Sequence, residues 1–131
     1  MEVMGRAISK GRAVGKALVT KDPISFLGSV NPKTGKIVEK GHELEGKSIK
    51  GVVLVFPRGK GSTVGSYMML QLKKNGVAPL AIINEETETI IAVGAIISGI
   101  PLVDRLGEDS YESLKSGMRV EVDGDLGMVR W

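Results

Sequence analysis

Val52-Val53-Leu54-Val55-Phe56-Pro57-Arg58-Gly59-Lys60-Gly61-Ser62-Thr63-Val64-Gly65-Ser66 carries three structural signals in one unbroken run. Five apolar residues, three of them Val, stop at Pro57, as a strand buried on both faces would. Arg58 to Gly61 is a short loop with two cations and two glycines. Ser62 or Thr63 can then cap a helix, its hydroxyl accepting a free backbone N–H. A strand, a glycine loop and a helix N-terminus together suit an anion. Backbone amides point outward, the helix dipole favours negative charge, and glycines let a ligand approach the chain.

The segments that follow extend the pattern. Residues 63–75 read as a helix whose inner face is Val64, Met68 and Leu72, with Tyr67 beside them. Lys73 and Lys74 suit its C-terminus, and Gly76 suits the position just beyond. Residues 77–83 read as a second buried strand, with Pro79 near its start. Asn84-Glu85-Glu86-Thr87 opens a second helix with Ile90, Val93 and Ile97 as its inner stripe, and Ala92, Gly94 and Ala95 allow close packing. Gly99 ends that helix, and residues 100–103 form a third strand. Strand, helix, strand, helix, strand between 52 and 103 predicts a parallel sheet with right-handed crossovers. Ligands of such sheets sit beyond the carboxyl ends of the strands. The expected site is therefore Arg58 to Ser62, close to Asn84, Glu85 and Asp104.

The termini supply flanking strands. Residues 3–8 and 13–20 read as strands joined by a turn at Ser9-Lys10-Gly11-Arg12. Residues 118–122 and 126–131 read as a hairpin around Asp123-Gly124-Asp125. Residues 21–35 are rich in turn formers, yet they hold Ile24, Phe26 and Leu27, which must tuck under the loop or cover something. Lys36-Ile37-Val38 is a possible short strand. His42 lies in a polar, glycine-bounded stretch and reads as a surface or loop histidine. Residues 104–116 are polar and read as irregular chain or a short helix. The sum is a mixed α/β domain in which terminal strands flank a central parallel βαβαβ unit, a single domain over residues 1–131.

Composition narrows the function classes. The chain has 131 residues, 42% hydrophobic but only 4% aromatic, so Val, Ile, Leu, Ala and Met must fill the core. Its net charge of +3 comes from 18 basic and 15 acidic residues that are well mixed. Neither a basic patch nor an aromatic stacking platform argues for nucleic acid. With no cysteine and one histidine, iron–sulfur or zinc chemistry would need ligands from another chain. Nothing resembles a signal peptide or a membrane span, so a soluble cytoplasmic protein is expected. The loop is not a P-loop, because Leu54 stands where the first glycine belongs. It is not a dinucleotide fingerprint, because Val64 stands where the third belongs. From the residues alone, Ser62 is either a cap or part of an anion site.

A family resemblance sharpens this reading. Gly11-Arg12-Ala13-Val14-Gly15-Lys16-Ala17-Leu18, Pro23-Ile24-Ser25-Phe26-Leu27-Gly28, Gly41-His42 with Leu44, Gly46-Lys47-Ser48-Ile49, Ala78-Pro79 and Gly99-Ile100-Pro101 all take part in it. Its most specific part is Pro57-Arg58-Gly59-Lys60-Gly61-Ser62-Thr63-Val64-Gly65-Ser66-Tyr67. Over nearly its whole length the chain resembles the small subunit of the aconitase X group, the standalone counterpart of the aconitase swivelling domain. The resemblance implies a swivelling β/β/α fold. It further implies a hydro-lyase (dehydratase) subunit, inactive without its large subunit, in a heterodimer.

Members with this Gly-Lys-Gly-Ser-Thr form imply removal of water from mevalonate 5-phosphate, giving trans-anhydromevalonate 5-phosphate for isoprenoid synthesis. The large subunit would carry a 4Fe-4S cluster, and Ser62 would be the proton acceptor. Arg58, Gly59, Lys60, Gly61 and Thr63 would bind the small anionic substrate. Cations and helix amides around Ser62 would stabilise its alkoxide. Two other readings remain: a non-catalytic anion-binding swivelling module, and a dehydratase subunit for another hydroxy acid such as a hydroxyproline.

Overall fold

The computed structural model describes residues 1–61 and 63–131. Its elements, in chain order, are β1 (Glu2–Met4), β2 (Arg6–Ser9), β3 (Arg12–Val19), β4 (Val53–Phe56), α1 (Gly65–Lys74), β5 (Ala81–Asn84), α2 (Thr89–Ser98), β6 (Leu102–Asp104), α3 (Glu108–Ser113), β7 (Arg119–Asp123) and β8 (Met128–Arg130). The strands form one sheet in the order β1-β8-β7-β3-β4-β5-β6-β2. Strands β3 to β6 run parallel, and the terminal strands flank them antiparallel. The mixed swivelling β/β/α architecture is thus present, with the βαβαβ unit at its centre.

The sheet curls back on itself. Strands β1 and β2 stand at opposite ends of the order, yet only Gly5 separates them in the chain. One N-terminal stretch therefore serves both edges, which protects both from pairing with another molecule. Gly5 is needed at the seam: a Cβ there would lie 2.2 Å from the Asp104 carbonyl oxygen. Its N–H donates to the Gly127 carbonyl at 2.6 Å. The strands expected on either side of residues 9–12 are present, and they pair apart, β2 with β6 and β3 with β4 and β7.

Strand β4 shows why its apolar run is continuous. Leu54 and Phe56 enter a core with Met69, Leu72, Ile82, Ile91 and Leu102. Val53 and Val55 enter a second core with Ile83, Val103, Val120, Val122 and Val129. Alternation puts successive side chains on opposite faces, and both faces are covered. Residues 21–35 contribute Ile24 and Phe26 to the first core, while Leu27 stays exposed. Phe26 meets Phe56 edge-on, with ring centroids 6.0 Å apart. Residues 36 and 37 make isolated bridges to Ser48 and Val30 rather than a strand.

Helix α2 turns a different face inward from the one periodicity favoured, and α1 a partly different one, since Leu72 is buried as expected and Met68 packs half-buried against the core. On α1 the buried residues are Gly65, Ser66, Met69 and Leu72, while Val64 and Tyr67 are exposed. On α2 they are Ile91, Gly94, Ala95 and Ser98, while Val93 and Ile97 face outward. The cause is a close helix–helix approach. A Cβ on Gly94 would lie 2.3 Å from Met69 Sδ and 3.1 Å from Ser66 Cα. Small residues decide which faces can meet, and the apolar residues around α2 offer no contrast to set against them. Gly99 ends α2 at φ +66°, as expected. The C-terminal hairpin β7–β8 and the short α3 also form as expected. No described helix is long and apolar enough to cross a membrane.

Candidate functional site

Strands β3, β4, β5 and β6 end side by side, delivering Thr20, Arg58, Asn84–Glu85 and Asp104 to one edge. The loop after β4 is held there by backbone bonds. Ile24 N–H donates to the Arg58 carbonyl, and Lys60 N–H donates to the Ile24 carbonyl, both at 3.2 Å. The Glu85 and Glu86 amides both donate to the Pro57 carbonyl, at 3.1 and 3.2 Å. Buried Asn84 donates its side-chain amide to the Phe56 carbonyl at 3.0 Å. The long loop over residues 21–35 therefore straps the glycine loop in place.

Gly59 is required by close approach. A Cβ would fall 2.1 Å from Glu88 Oε1 and 2.6 Å from Ile91 Cγ1. Gly61 adopts φ +91° beside Ser25 Oγ. Thr63 is exposed, and α1 starts later than expected, at Gly65 with Val64 as its N-cap residue. Thr63 is therefore not the cap. Ser62, the expected proton acceptor, lies outside the described residues.

The two cations expected beside Ser62 are engaged by carboxylates of the same chain. Arg58 Nη2 donates to Glu85 Oε1 at 3.0 Å, and Lys60 Nζ to Glu39 Oε2 at 2.7 Å. Lys60 and then the Ser29 hydroxyl hold the Glu39 carboxyl below the usual carboxylate range. The positive potential foreseen for this loop is thus partly neutralised at rest. Glu85 was expected nearby; Glu39 was not, because it comes from a segment that reads only as polar loop.

A second polar cluster sits beside this loop. Asp104 is fully buried and takes a two-point bond from Arg6, Nε to Oδ1 at 2.9 Å and Nη2 to Oδ2 at 2.7 Å. Thr87 N–H adds a third bond at 2.8 Å. Burial pushes the Asp104 carboxyl up, but Arg6 and Thr87 outweigh it and hold it below its ordinary value. Next in the chain, Arg105 grips Glu86 with Nε and Nη2.

Tyr111 on α3 stands between a cavity of about 180 Å³ lined by Thr20, Lys21, Glu43 and Lys115 and a depression of about 350 Å³ lined by Glu85, Gly107 and Glu108. Its hydroxyl is buried and has no hydrogen-bond partner among the described residues, and burial pushes it up. Arg6, Arg105 and Tyr111 were not singled out from sequence, since nothing local marks them.

His42 lies in a loop, as expected, but is buried rather than at the surface. Its Nδ1 accepts from Leu44 N–H at 3.0 Å, so Nε2 carries the proton and donates to the Pro23 carbonyl at 3.1 Å. It pins residues 42–44 to the strap.

Comparison with known proteins gives this edge its context. Residues 2–131 match the family model described as the aconitase X swivel domain. The chain belongs to the aconitase X swivel-domain family. A Methanosarcina acetivorans member, named phosphomevalonate dehydratase small subunit, is 66% identical over 129 residues, covering 98% of this chain and 90% of that one. A Methanothermobacter thermautotrophicus member of the same name is 53% identical over 131 residues and covers both chains fully. The crystal structure of Thermococcus kodakaraensis aconitase X in its holo form superposes with a TM-score of 0.93 at 53% identity, covering 99% of this chain and 97% of that one. The relatives' name implies a larger partner subunit, and the aconitase X family suggests an iron–sulfur cluster on it. This swivel domain does not itself fit such a cluster. It has no cysteine, and no group of three or more potential ligands among the described residues could hold a metal.

Proposed function

We propose that this chain is the small subunit of a two-chain hydro-lyase. The enzyme would dehydrate mevalonate 5-phosphate to trans-anhydromevalonate 5-phosphate, in the cytoplasm, as a step in isoprenoid synthesis. The observation that carries the reading is 66% identity over 98% of the chain to a relative named phosphomevalonate dehydratase small subunit. Residues 1–131 would act as a single domain, in a heterodimer with a large subunit that holds the 4Fe-4S cluster.

Within that enzyme, Ser62 takes the proton next to the substrate carboxylate. A serine hydroxyl is a poor base unless its alkoxide is stabilised. Support comes from its place in the chain, between the glycine loop and the N-terminus of α1, where backbone N–H groups favour an anion. Gly59 and Gly61 keep the loop close to the sheet edge, and Thr63 lies at its exposed rim. Arg58 and Lys60 bind substrate oxygens by exchanging Glu85 and Glu39 for them, and resting ion pairs at a half-exposed surface are weak enough to exchange.

The test is reconstitution. The chain is mixed anaerobically with its aconitase-like large subunit and assayed on mevalonate 5-phosphate and on a hydroxyproline. Turnover of the phosphorylated acid by the pair, and by neither chain alone, is the expected outcome. Activity of the purified small chain alone defeats the two-chain reading, and preference for hydroxyproline defeats the substrate.

A further inference from the structure

Arg105 breaks a rule the rest of the chain keeps. Its φ is +56°, and every other described residue at a positive φ is a glycine, from Gly11 to Gly127. Glycine adopts this conformation freely, whereas an L side chain is strained in it. If only a turn were wanted after β6, glycine would make it at lower cost. The arginine must therefore be retained for its side chain. That side chain is exposed and bonded to Glu86 at 2.9 and 2.7 Å, with Glu86 itself half in water. An exposed pair of this kind contributes little stability, so it does not explain the strain.

Position supplies the explanation. Arg105 follows the carboxyl end of β6 directly, and its N–H donates to the Glu85 carbonyl at 3.3 Å. The Glu85 side chain in turn holds Arg58. The strained arginine thus stands one residue from the loop pair, on the edge where a parallel sheet receives its ligand. Arg6 and Asp104 flank it, Arg6 bonded to Asp104 and standing 3.7 Å from the same Glu86 carboxylate. A guanidinium that grips a carboxylate through Nε and Nη2 can grip a phosphate in the same two-point way. The Glu86 backbone is tied to Pro57, but its carboxylate projects into solvent and can swing aside.

We propose that Arg105, held in left-handed backbone just past β6, binds the phosphate end of the substrate, and that Glu86 occupies its guanidinium until the phosphate arrives. This rests on the phosphorylated substrate proposed above and assigns a residue to it. The test uses the reconstituted two-chain enzyme. In Arg105→Gly the backbone relaxes while the fork is lost. The KM for mevalonate 5-phosphate should rise about tenfold or more with kcat little changed, while the melting temperature of the small chain holds or rises. Arg105→Lys, which keeps the charge but not the fork, should fall between. Glu86→Gln removes the competitor and should lower KM by about two- to threefold.

Inorganic phosphate, titrated into the same complexes and followed by 31P NMR, checks the subsite even if the wild-type pair turns over a different acid. Weaker phosphate binding by Arg105→Gly than by wild type supports the subsite. Unchanged KM and unchanged phosphate binding overturn it. So does a variant whose only defect is weaker subunit assembly or a lower melting temperature, since either would make Arg105 a contact or a turn.

Discussion

The two ends of the parallel sheet are built on different terms. Where β4, β5 and β6 begin, the chain is closed by backbone bonds such as Leu80 N–H to Val52 and Ile82 N–H to Pro101, with Gly99 turning α2 into the next strand. Left-handed positions there are glycines, among them Gly51, Gly76 and Gly99. Where the same strands stop, the structure keeps a strained arginine, the one described non-glycine residue at positive φ, and two loop cations paired with carboxylates. One end is arranged for stability. The other accepts strain and polarity, as the proposed ligand site and subunit contact would require.

That contrast can be broken by substitution. The largest effect is expected at the carboxyl end. Ser62→Ala in the reconstituted enzyme should lose about 10²–10⁴-fold in kcat, the range for removing a general base, while subunit assembly and cluster content are retained. Near-wild-type turnover would leave Ser62 with only a structural role. A smaller effect is expected at the buried anchor of the same edge. Asp104→Ala strips Arg6 and Thr87 of their acceptor and should cost about 2 kcal/mol in urea unfolding, since Arg6 stays partly in water.

The acid limb of the stability curve adds a check on Asp104. Its carboxyl lies below its ordinary value in the folded chain, so its contribution is present above the unfolded pKa and is lost as pH falls through the lower, folded one. Wild type should lose this stability on acidification through and below the usual aspartate range. Asp104→Ala should lose less over the same window, and parallel pH curves would refute the assignment. The smallest effect belongs to the quiet end. Gly99→Ala places a side chain at φ +66° in open space and should cost about 1 kcal/mol in stability with turnover unchanged. Loss of turnover there, at unchanged stability, would erase the distinction between the two ends.

Legibility followed the range of the signal. The run from Val52 to Phe56 with its stop at Pro57 reported a doubly buried strand, because alternation and a breaker are local properties. The helices are legible for the same reason, but the inner face of α2 and part of that of α1 are not. Val64 and Met68 satisfy a helical period as well as Gly65 and Met69 do, and the choice between them is made by Gly94 on another helix. At the site, Arg58 and Lys60 were legible as cations beside glycines. Glu85 beside Arg58 was legible too, but Lys60's counterion was not, because Glu39 lies far away in sequence, in a loop whose path depends on burying Ile24 and Phe26.

The amino-acid sequence alone determined the parallel core, the place of the glycine loop at its carboxyl edge and the absence of thiol ligands, since each is written in neighbouring residues or in composition. Only the tertiary structure decided that one N-terminal stretch closes both edges of the sheet, that the loop cations rest on Glu39 and Glu85, and that Arg105 is held in a glycine's conformation. Those outcomes depend on groups brought together from distant parts of the chain, where packing and charge, rather than local pattern, select the partner.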